Sequence, residues 1–227
     1  MVAPAAAVGF DLDGTLFDHE GAARAAIADF VAHRDWPVAD DTPDRWMALE
    51  RMHFGDYARG LIGFQEQRRR RMADLVRALG IDADPSGIDG LFEDYFAHYR
   101  ENWAAYPDAI PALDLLADRG LALGVLTNGQ HELQTRKLER LGILDRFDVM
   151  LAASELPEFK PHAAAFDALC RALGVGASEV VFVGDDLEAD VAGAAAAGLR
   201  AVWIDRDAAG GAPDGVTVVA SLVELAT

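Results

Sequence analysis

The sequence of 227 residues predicts an α/β fold, a doubly wound parallel sheet interrupted after its first strand by an all-helical insert. Three observations carry this. An apolar run, Ala5 to Phe10, stops at the acidic segment Asp11-Leu12-Asp13-Gly14-Thr15. From Gly21 to about Trp103 the apolar residues recur at helical spacing only. From Tyr106-Pro107 onward, short apolar runs alternate with helical stretches to the C-terminus. The first strand must join that later sheet, because alone it has no partner.

The elements follow in order. Ala5 to Phe10 reads as a short buried strand. Ala22 to Arg34, Trp46 to Ala58, Gln65 to Leu79 and about Ile88 to Trp103 read as roughly four helices. Pro37, Pro43, Gly60, Gly63, Gly80 and Pro85 punctuate them. The insert, residues 19–105, is long enough for a small domain, with residues 1–18 and 106–227 forming the core. In the core, Ala109 to Arg119 is a helix and Leu121 to Leu126 a strand. The helix His131 to Leu141 stops at Gly142, and Phe147 to Ala152 is a strand. The helix His162 to Leu173 stops at Gly174, and Val180 to Val183 is a strand. The helix Leu187 to Ala197 stops at Gly198, Ala201 to Ile204 is a strand, and Ser221 to Ala226 is a short last helix. Ala208 to Gly215 reads as a loop rich in Gly, Pro and Asp.

Composition narrows the function. The formal net charge of −18 argues against nucleic acid and anionic membrane as partners, since basic patches supply most of that attraction. It leaves room for a small anionic substrate, whose charge a metal and one or two local cations can balance. No apolar run is long enough to span a bilayer, and Met1 to Val8 lacks the basic and apolar regions of a signal peptide. Cys170 is alone, so no intrachain disulfide or cysteine metal cluster forms. The expectation is a cytoplasmic monomer or small homo-oligomer.

The strand ends carry the chemistry. In a parallel sheet the carboxyl ends share one edge, where ligands bind. Strand one delivers Asp11 and Asp13, the next core strand Thr127-Asn128-Gly129, the third leads into Lys160-Pro161, and the fourth ends at Gly184-Asp185-Asp186, with Asp190 beyond. Two carboxylates as close as Asp11 and Asp13 repel unless one is protonated or a cation intervenes. Mg²⁺ is the economical cation, because it takes carboxylate and phosphate oxygens together. The set suits phosphoryl transfer. Asp11 can act as nucleophile, Asp13 as general acid and then base, Thr127 as hydroxyl donor, and Lys160 as fixed positive charge. An ion held by Asp11 and Asp185 would screen the repulsion between carboxylate and ester. Backbone N–H groups near Asn128-Gly129 add donors. Taken singly, each piece has a plainer reading. Thr127-Asn128-Gly129 is a common turn, Lys160 an ordinary lysine, and one of Asp185 and Asp186 a helix N-terminal acid. Asp190 can serve only to hold Lys160 or its loop. Their order along the alternating strands argues for the shared site.

These segments together resemble the haloacid dehalogenase superfamily, and within it the phosphatases. Phe10-Asp11-Leu12-Asp13-Gly14-Thr15-Leu16 matches the first motif and Leu126-Thr127-Asn128-Gly129 the second. Lys160-Pro161 resembles the third, and Val183-Gly184-Asp185-Asp186 through Asp190 the fourth. The resemblance runs from about residue 5 to 225. It implies a Rossmann-like core, a helical cap inserted between the first two motifs, a Mg²⁺ ion and hydrolysis through an aspartyl-phosphate. It also implies that Asp11 and Asp185 hold Mg²⁺ by side chain and Asp13 by its carbonyl oxygen. The dehalogenases of the superfamily lack an acid at the position of Asp13, so its presence points to phosphate esters. The stretch from Thr127 through Gln134 to Lys137-Leu138 is similar to a branch with nucleotide and sugar-phosphate phosphatases. The third motif often has Gly before its Lys, and here Phe159 stands there.

The expected function is therefore a Mg²⁺-dependent phosphatase acting on a small soluble phosphate monoester, of the nucleotide or sugar-phosphate kind. A phosphomutase on the same scaffold and a non-catalytic phospho-receiver or binding module are the alternatives. Receivers lack an acid two residues after the nucleophile and carry no large insert. Within the insert, Arg68-Arg69-Arg70-Arg71 covers a full helical turn, so at most one or two could face a pocket. The run reads as a solvated face.

Overall fold

The structure is a computed structural model that describes residues 5–36 and 39–226. The predicted break at Pro37 and residues 1–4 of the N-terminal segment lie outside the described residues. The chain divides into two compact units, one of residues 1–18 with 104–227 and one of residues 19–103. The return to the first unit comes at Ala104, two residues earlier than the periodicity places it. There Asp18 N–H donates to the Ala104 carbonyl at 3.0 Å, and Phe17 pairs antiparallel with Ala105.

The first unit is built on six parallel strands: β1 (Ala7–Phe10), β2 (Ala122–Thr127), β3 (Val149–Ala152), β4 (Val180–Gly184), β5 (Arg200–Ile204) and β6 (Thr217–Val219). They lie in the order β3-β2-β1-β4-β5-β6. Phe10 is in register with Val125 on one side and Val183 on the other. The chain adds β2 and β3 outward on one side of β1, then crosses back to add β4, β5 and β6 on the other. That reversal makes the carboxyl end of β1 a topological switch point, where a crevice opens in doubly wound sheets.

Three helices of this unit obey the sequence reading within about one residue: α5 (Ala109–Asp118), α6 (His131–Arg140) and α7 (Ala163–Leu173). Gly142, Gly174 and Gly198 stand where the helices were expected to stop, with φ of 68°, 72° and 84°. An L side chain strains in that region, so glycine ends a helix there at least cost. Phe166, Leu169 and Cys170 of α7 pack with Ala7, Leu126, Val180 and Phe182 of the strands. Phe166 meets Phe182 edge-on at 5.0 Å.

Three elements depart from the sequence reading. The predicted helix from Leu187 to Ala197 is a π-helical turn, Leu187–Ala192, followed by one short α-helical turn, α8 (Gly193–Ala196). β6 was not expected. It is three residues long with its first two exposed, so it offers no alternation to read. The final helix is a 3₁₀ segment, Leu222–Ala226.

The second unit holds four helices: α1 (His19–His33), α2 (Thr42–Ala58), α3 (Phe64–Ala78) and α4 (Ile88–Glu101). α2 starts four residues before its apolar periodicity, because Pro43 at the first turn lacks only an N–H that has no helical partner there. Trp46 is fully buried with Phe92 and Tyr95, its ring 4.4 Å from that of Tyr95. The arginine run is not a uniform solvated face. Arg69 and Arg70 are exposed and paired with Asp89 and Glu66. Arg68 lies over the rings of Phe64, Phe92 and Phe96. Arg71 is buried over Trp46 and donates to Glu50 at 2.9 Å. Four consecutive residues sweep a whole turn, so one of them had to enter the interior of a four-helix unit. A planar, weakly hydrated guanidinium tolerates that position if it is paired.

Phe166→Ala empties a fully buried site against Phe182, and the expected loss of stability is about 3–5 kcal/mol. Urea unfolding measures it, and a loss below about 1 kcal/mol would show that α7 can collapse onto the sheet without this ring.

Candidate active site

The site begins where β1 ends. Asp11 N–H still donates to the Val183 carbonyl at 2.9 Å, so its main chain stays tied to β4 while its side chain leaves the sheet edge. The chain then turns at Gly14, with φ of 91°. A Cβ there would lie 2.3 Å from Asp185 Oδ2, so both the backbone angle and the neighbour demand glycine. The turn brings the loop after β1 against the loop after β4, and the Thr15 hydroxyl donates to Asp185 Oδ1 at 3.3 Å.

Lys160 crosses between the strand ends. Its ammonium donates to Asp11 Oδ1 and to Asp190 Oδ1, each at 2.6 Å, with all three residues buried. Its position is set by Asn128. The Asn128 amide donates to the Lys160 carbonyl at 2.8 Å and accepts from the Lys160 N–H at 3.0 Å. Asp190 reaches the lysine from the π-helical turn, and its second oxygen accepts the Asp186 N–H at 3.1 Å. Carboxylate oxygens of Asp11, Asp185 and Asp190 all lie within 4.8 Å of one another.

One ammonium among three carboxylates leaves a surplus of negative charge. Burial lifts the Asp11 carboxyl well above the usual range against the pull of Lys160, and Asp190, Asp185 and Asp13 add to the rise. Burial likewise raises Asp190, with Lys160 opposing. Burial works to lower Lys160, but Asp11 and Asp190 outweigh it and hold the ammonium charged. Asp185 lies at the exposed mouth of the site, where the surrounding protein and then Asp190 push its carboxyl up to about 7.

Asp13 takes a different set of partners. Gln134 Nε2 donates to its Oδ2 at 2.6 Å, and the Lys137 ammonium pairs with its Oδ1. Both come from α6, three residues apart on the buried face with Leu138. The same Gln134 nitrogen donates to Thr127 Oγ1 at 2.8 Å, and Gly129 N–H reaches that oxygen at 3.3 Å. Asp11, Asp13, Thr127, Asn128, Gly129, Lys160, Asp185 and Asp190 therefore belong to one connected group. Asp186 joins it only through its main-chain N–H, given to Asp190. Its side chain accepts from Glu188 N–H and Ala189 N–H, both at 2.8 Å, and caps the π-helical turn. Phe159, before Lys160, is 40% exposed and lies edge-on to His162.

Four members of the group were not singled out in the sequence. Thr15 follows the acidic pair directly. Gln134 and Lys137 carried a usable signal, since polar residues i, i+3 on a helix that opens after Thr127-Asn128-Gly129 must face that strand end. Arg206 carried none. It comes from the segment after β5 to donate to the Thr15 carbonyl at 2.6 Å and to Asp108 at 3.1 Å, with its guanidinium 3.6 Å from the Tyr106 ring centre.

This geometry can be set beside known proteins. The family model for haloacid dehalogenase-like hydrolase matches residues 5–198. The chain belongs to that family. It is 32% identical to ribulose-1,5-bisphosphate 5-phosphatase of Halopiger xanaduensis, over 88% of this chain and 85% of the relative. It is 32% identical to a phosphoglycolate phosphatase of Chromobacterium violaceum, over 87% and 84%. Its fold is similar to that of a HAD-hydrolase from Bacillus subtilis solved with magnesium bound, with a TM-score of 0.84, 21% identity, and 98% and 97% of the two chains covered. As a haloacid dehalogenase-like hydrolase, the chain presents its acids, hydroxyl and ammonium along one edge of a Rossmann-like sheet.

Lys160→Met would leave Asp11 and Asp190 buried without their counter-charge, at an expected cost of about 3–5 kcal/mol near neutral pH. Carboxyls raised on folding favour the folded state at low pH, and that contribution is lost as pH rises. The deficit relative to wild type should therefore grow from pH 5 to pH 8 in metal-free urea unfolding. A deficit independent of pH would mean that Lys160 contributes packing rather than charge.

Proposed function

We propose that this hydrolase is a Mg²⁺-dependent phosphatase that cleaves a small soluble phosphate monoester through an aspartyl-phosphate on Asp11. The observation that carries the reading is the buried Lys160 bridge between Asp11 and Asp190, with Asp185 within 4.8 Å and the Asp13–Gln134–Thr127 linkage beside it. The relatives named above support it, since both are phosphatases of small phosphorylated metabolites.

The donor set fits a hard divalent cation. Three carboxylates crowd one point with a single ammonium between two of them, and burial first, then their neighbouring carboxylates, raise the carboxyls of Asp11 and Asp185. Asp11 and Asp185 would hold Mg²⁺ by side chain and Asp13 by its carbonyl oxygen. Asp190 already spends both oxygens, on Lys160 and on the Asp186 N–H. When bound, the ion would offset the charge of the phosphoryl oxygens and of the attacking carboxylate.

The residues of the chain then have separable tasks. Asp11 attacks phosphorus in line, forming an O–P bond as the bond to the alcohol oxygen breaks. Lys160 pulls the Asp11 carboxyl toward its ionised form against the effect of burial, and it places a positive charge beside the transferred group. The Thr127 hydroxyl donates to a phosphoryl oxygen. Asp13 gives its proton to the leaving alcohol oxygen, then takes one from the water that hydrolyses the aspartyl-phosphate and frees Asp11 and phosphate. We assign the cap role to the helical unit, residues 19–103, from its place in the chain.

A phosphate-release screen over nucleotides, sugar phosphates and phosphoglycolate with Mg²⁺ tests the reading. Asp11→Asn should abolish release without unfolding the protein, and Asp13→Asn should lower kcat about 10²–10⁴-fold with little change in KM. Wild-type turnover in Asp11→Asn would remove Asp11 as nucleophile. Mg²⁺ should raise the melting temperature more at pH 8 than at pH 6, because Asp185, at about 7, must shed its proton to become a ligand. Equal shifts at both pH values would take Asp185 out of the ligand set, and full activity in EDTA would overturn the metal assignment.

A further inference from the structure

Gln134 lies fully inside the first unit, 1% exposed, and makes two contacts with one nitrogen. Its Nε2 donates to Asp13 Oδ2 at 2.6 Å and to Thr127 Oγ1 at 2.8 Å. With Asp13 in the carboxylate form that the Lys137 ammonium pairs with, the amide has one workable orientation, because turned over it would press Oε1 against a carboxylate oxygen at the same distance, two acceptors with no proton between them. As it stands, Oε1 is buried and meets no hydrogen-bond partner among the described residues. A buried acceptor without a partner is costly, so the position is held for its two donors rather than for full satisfaction of the amide. The surroundings are cut to admit it. A Cβ on Gly129 would lie 2.5 Å from Gln134 Nε2, so glycine there makes room for this amide.

The contact has a directional consequence for Thr127. A hydroxyl has one proton and two lone pairs. Gln134 Nε2 and Gly129 N–H both donate to Thr127 Oγ1, so both lone pairs are engaged and its proton must be given away. Asp13 is fixed by the same group, and Lys137 pairs with its other oxygen while lying 4.5 Å from the Phe17 ring centre. One side chain thus couples the residue that moves protons to the residue that donates to the phosphoryl group.

We infer that Gln134 is a positioning residue that aims the Thr127 hydroxyl proton at the phosphoryl oxygen and holds the Asp13 carboxylate in line with the leaving oxygen. The inference rests on the phosphatase reading above. Donors held before the reaction contribute most to transition-state stabilisation, so the effect falls on kcat more than on KM.

The experiment uses the full chain with Mg²⁺ and whichever ester the wild-type enzyme turns over fastest. Gln134→Met keeps the volume and removes both donors. It should lower kcat about 10²-fold, with KM changed less than about threefold. Gln134→Glu keeps the shape and should lose at least as much, because it offers a carboxylate to Asp13 in place of an N–H. It also serves if the Met variant fails to fold. In a Thr127→Val background, Gln134→Met should cost less than about tenfold, since half of what it positions is gone. Thermal unfolding separates these effects from lost fold. Phosphate release by the wild type but unchanged kcat in a folded Gln134→Met or Gln134→Glu overturns the inference alone, as does full additivity with Thr127→Val. A wild type that releases no phosphate from any ester overturns the reading beneath it, and the inference with it.

Discussion

Lys160 places its ammonium 2.6 Å from Asp11 and 2.6 Å from Asp190, in a part of the first unit where all three are buried. A buried charge is tolerated only when paired and hydrogen-bonded, and here each partner would be untenable without the others. The rest of the site follows from that constraint. Asn128 spends both ends of its amide on fixing the Lys160 main chain. The π-helical turn after β4 returns Asp190 to the lysine, and Asp186 caps the turn that carries it. π-Helical turns are uncommon and recur at functional sites, because the extra residue re-aims side chains that an α-helix would carry past.

The sheet supplies the frame that makes such a cluster feasible. Parallel pairing of β1 with β2 and β4 stacks three strand ends side by side, and the reversal of strand order beside β1 leaves that edge open. Around it the contacts fall into two linked groups. Asp11, Lys160, Asp190 and Asp185 concentrate charge, while Asp13, Gln134, Lys137 and Thr127 control where protons point. Gly14 and Gly129 are the close approaches that let the groups form, one beside Asp185 and one beside Gln134. Arg206 ties the loop after β1 to Asp108, so the geometry does not rest on the strand ends alone.

The helical unit solves a separate problem. Below the size at which a large apolar core is available, four helices bury Trp46, Phe92 and Tyr95 and add Arg71 over the Trp46 ring, paired with Glu50. The pair joins α2 to α3, so the buried guanidinium finds its counter-charge within this unit.

The sequence by itself determined the α/β alternation, the helical insert and the acids at the strand ends. These are properties of periodicity and of order along the chain, which a linear string records directly. It determined that Asp11, Asp13, Thr127, Lys160 and Asp185 fall on one edge, because parallel strands share an orientation. Tertiary structure gave Asp186 its part as the cap of the π-helical turn, because whether a helix N-terminal acid reaches the backbone N–H groups depends on how the turn is wound. It decided that Arg71 enters the interior, because four adjacent arginines do not declare their face until the helix packs. It produced β6, too short to carry a period, and it recruited Arg206 and the Gln134 linkage across 191 and 121 residues of chain respectively. Contacts at that separation depend on where folded elements meet; the i, i+3 spacing on α6 hints at the Gln134 meeting, and no local pattern encodes that of Arg206.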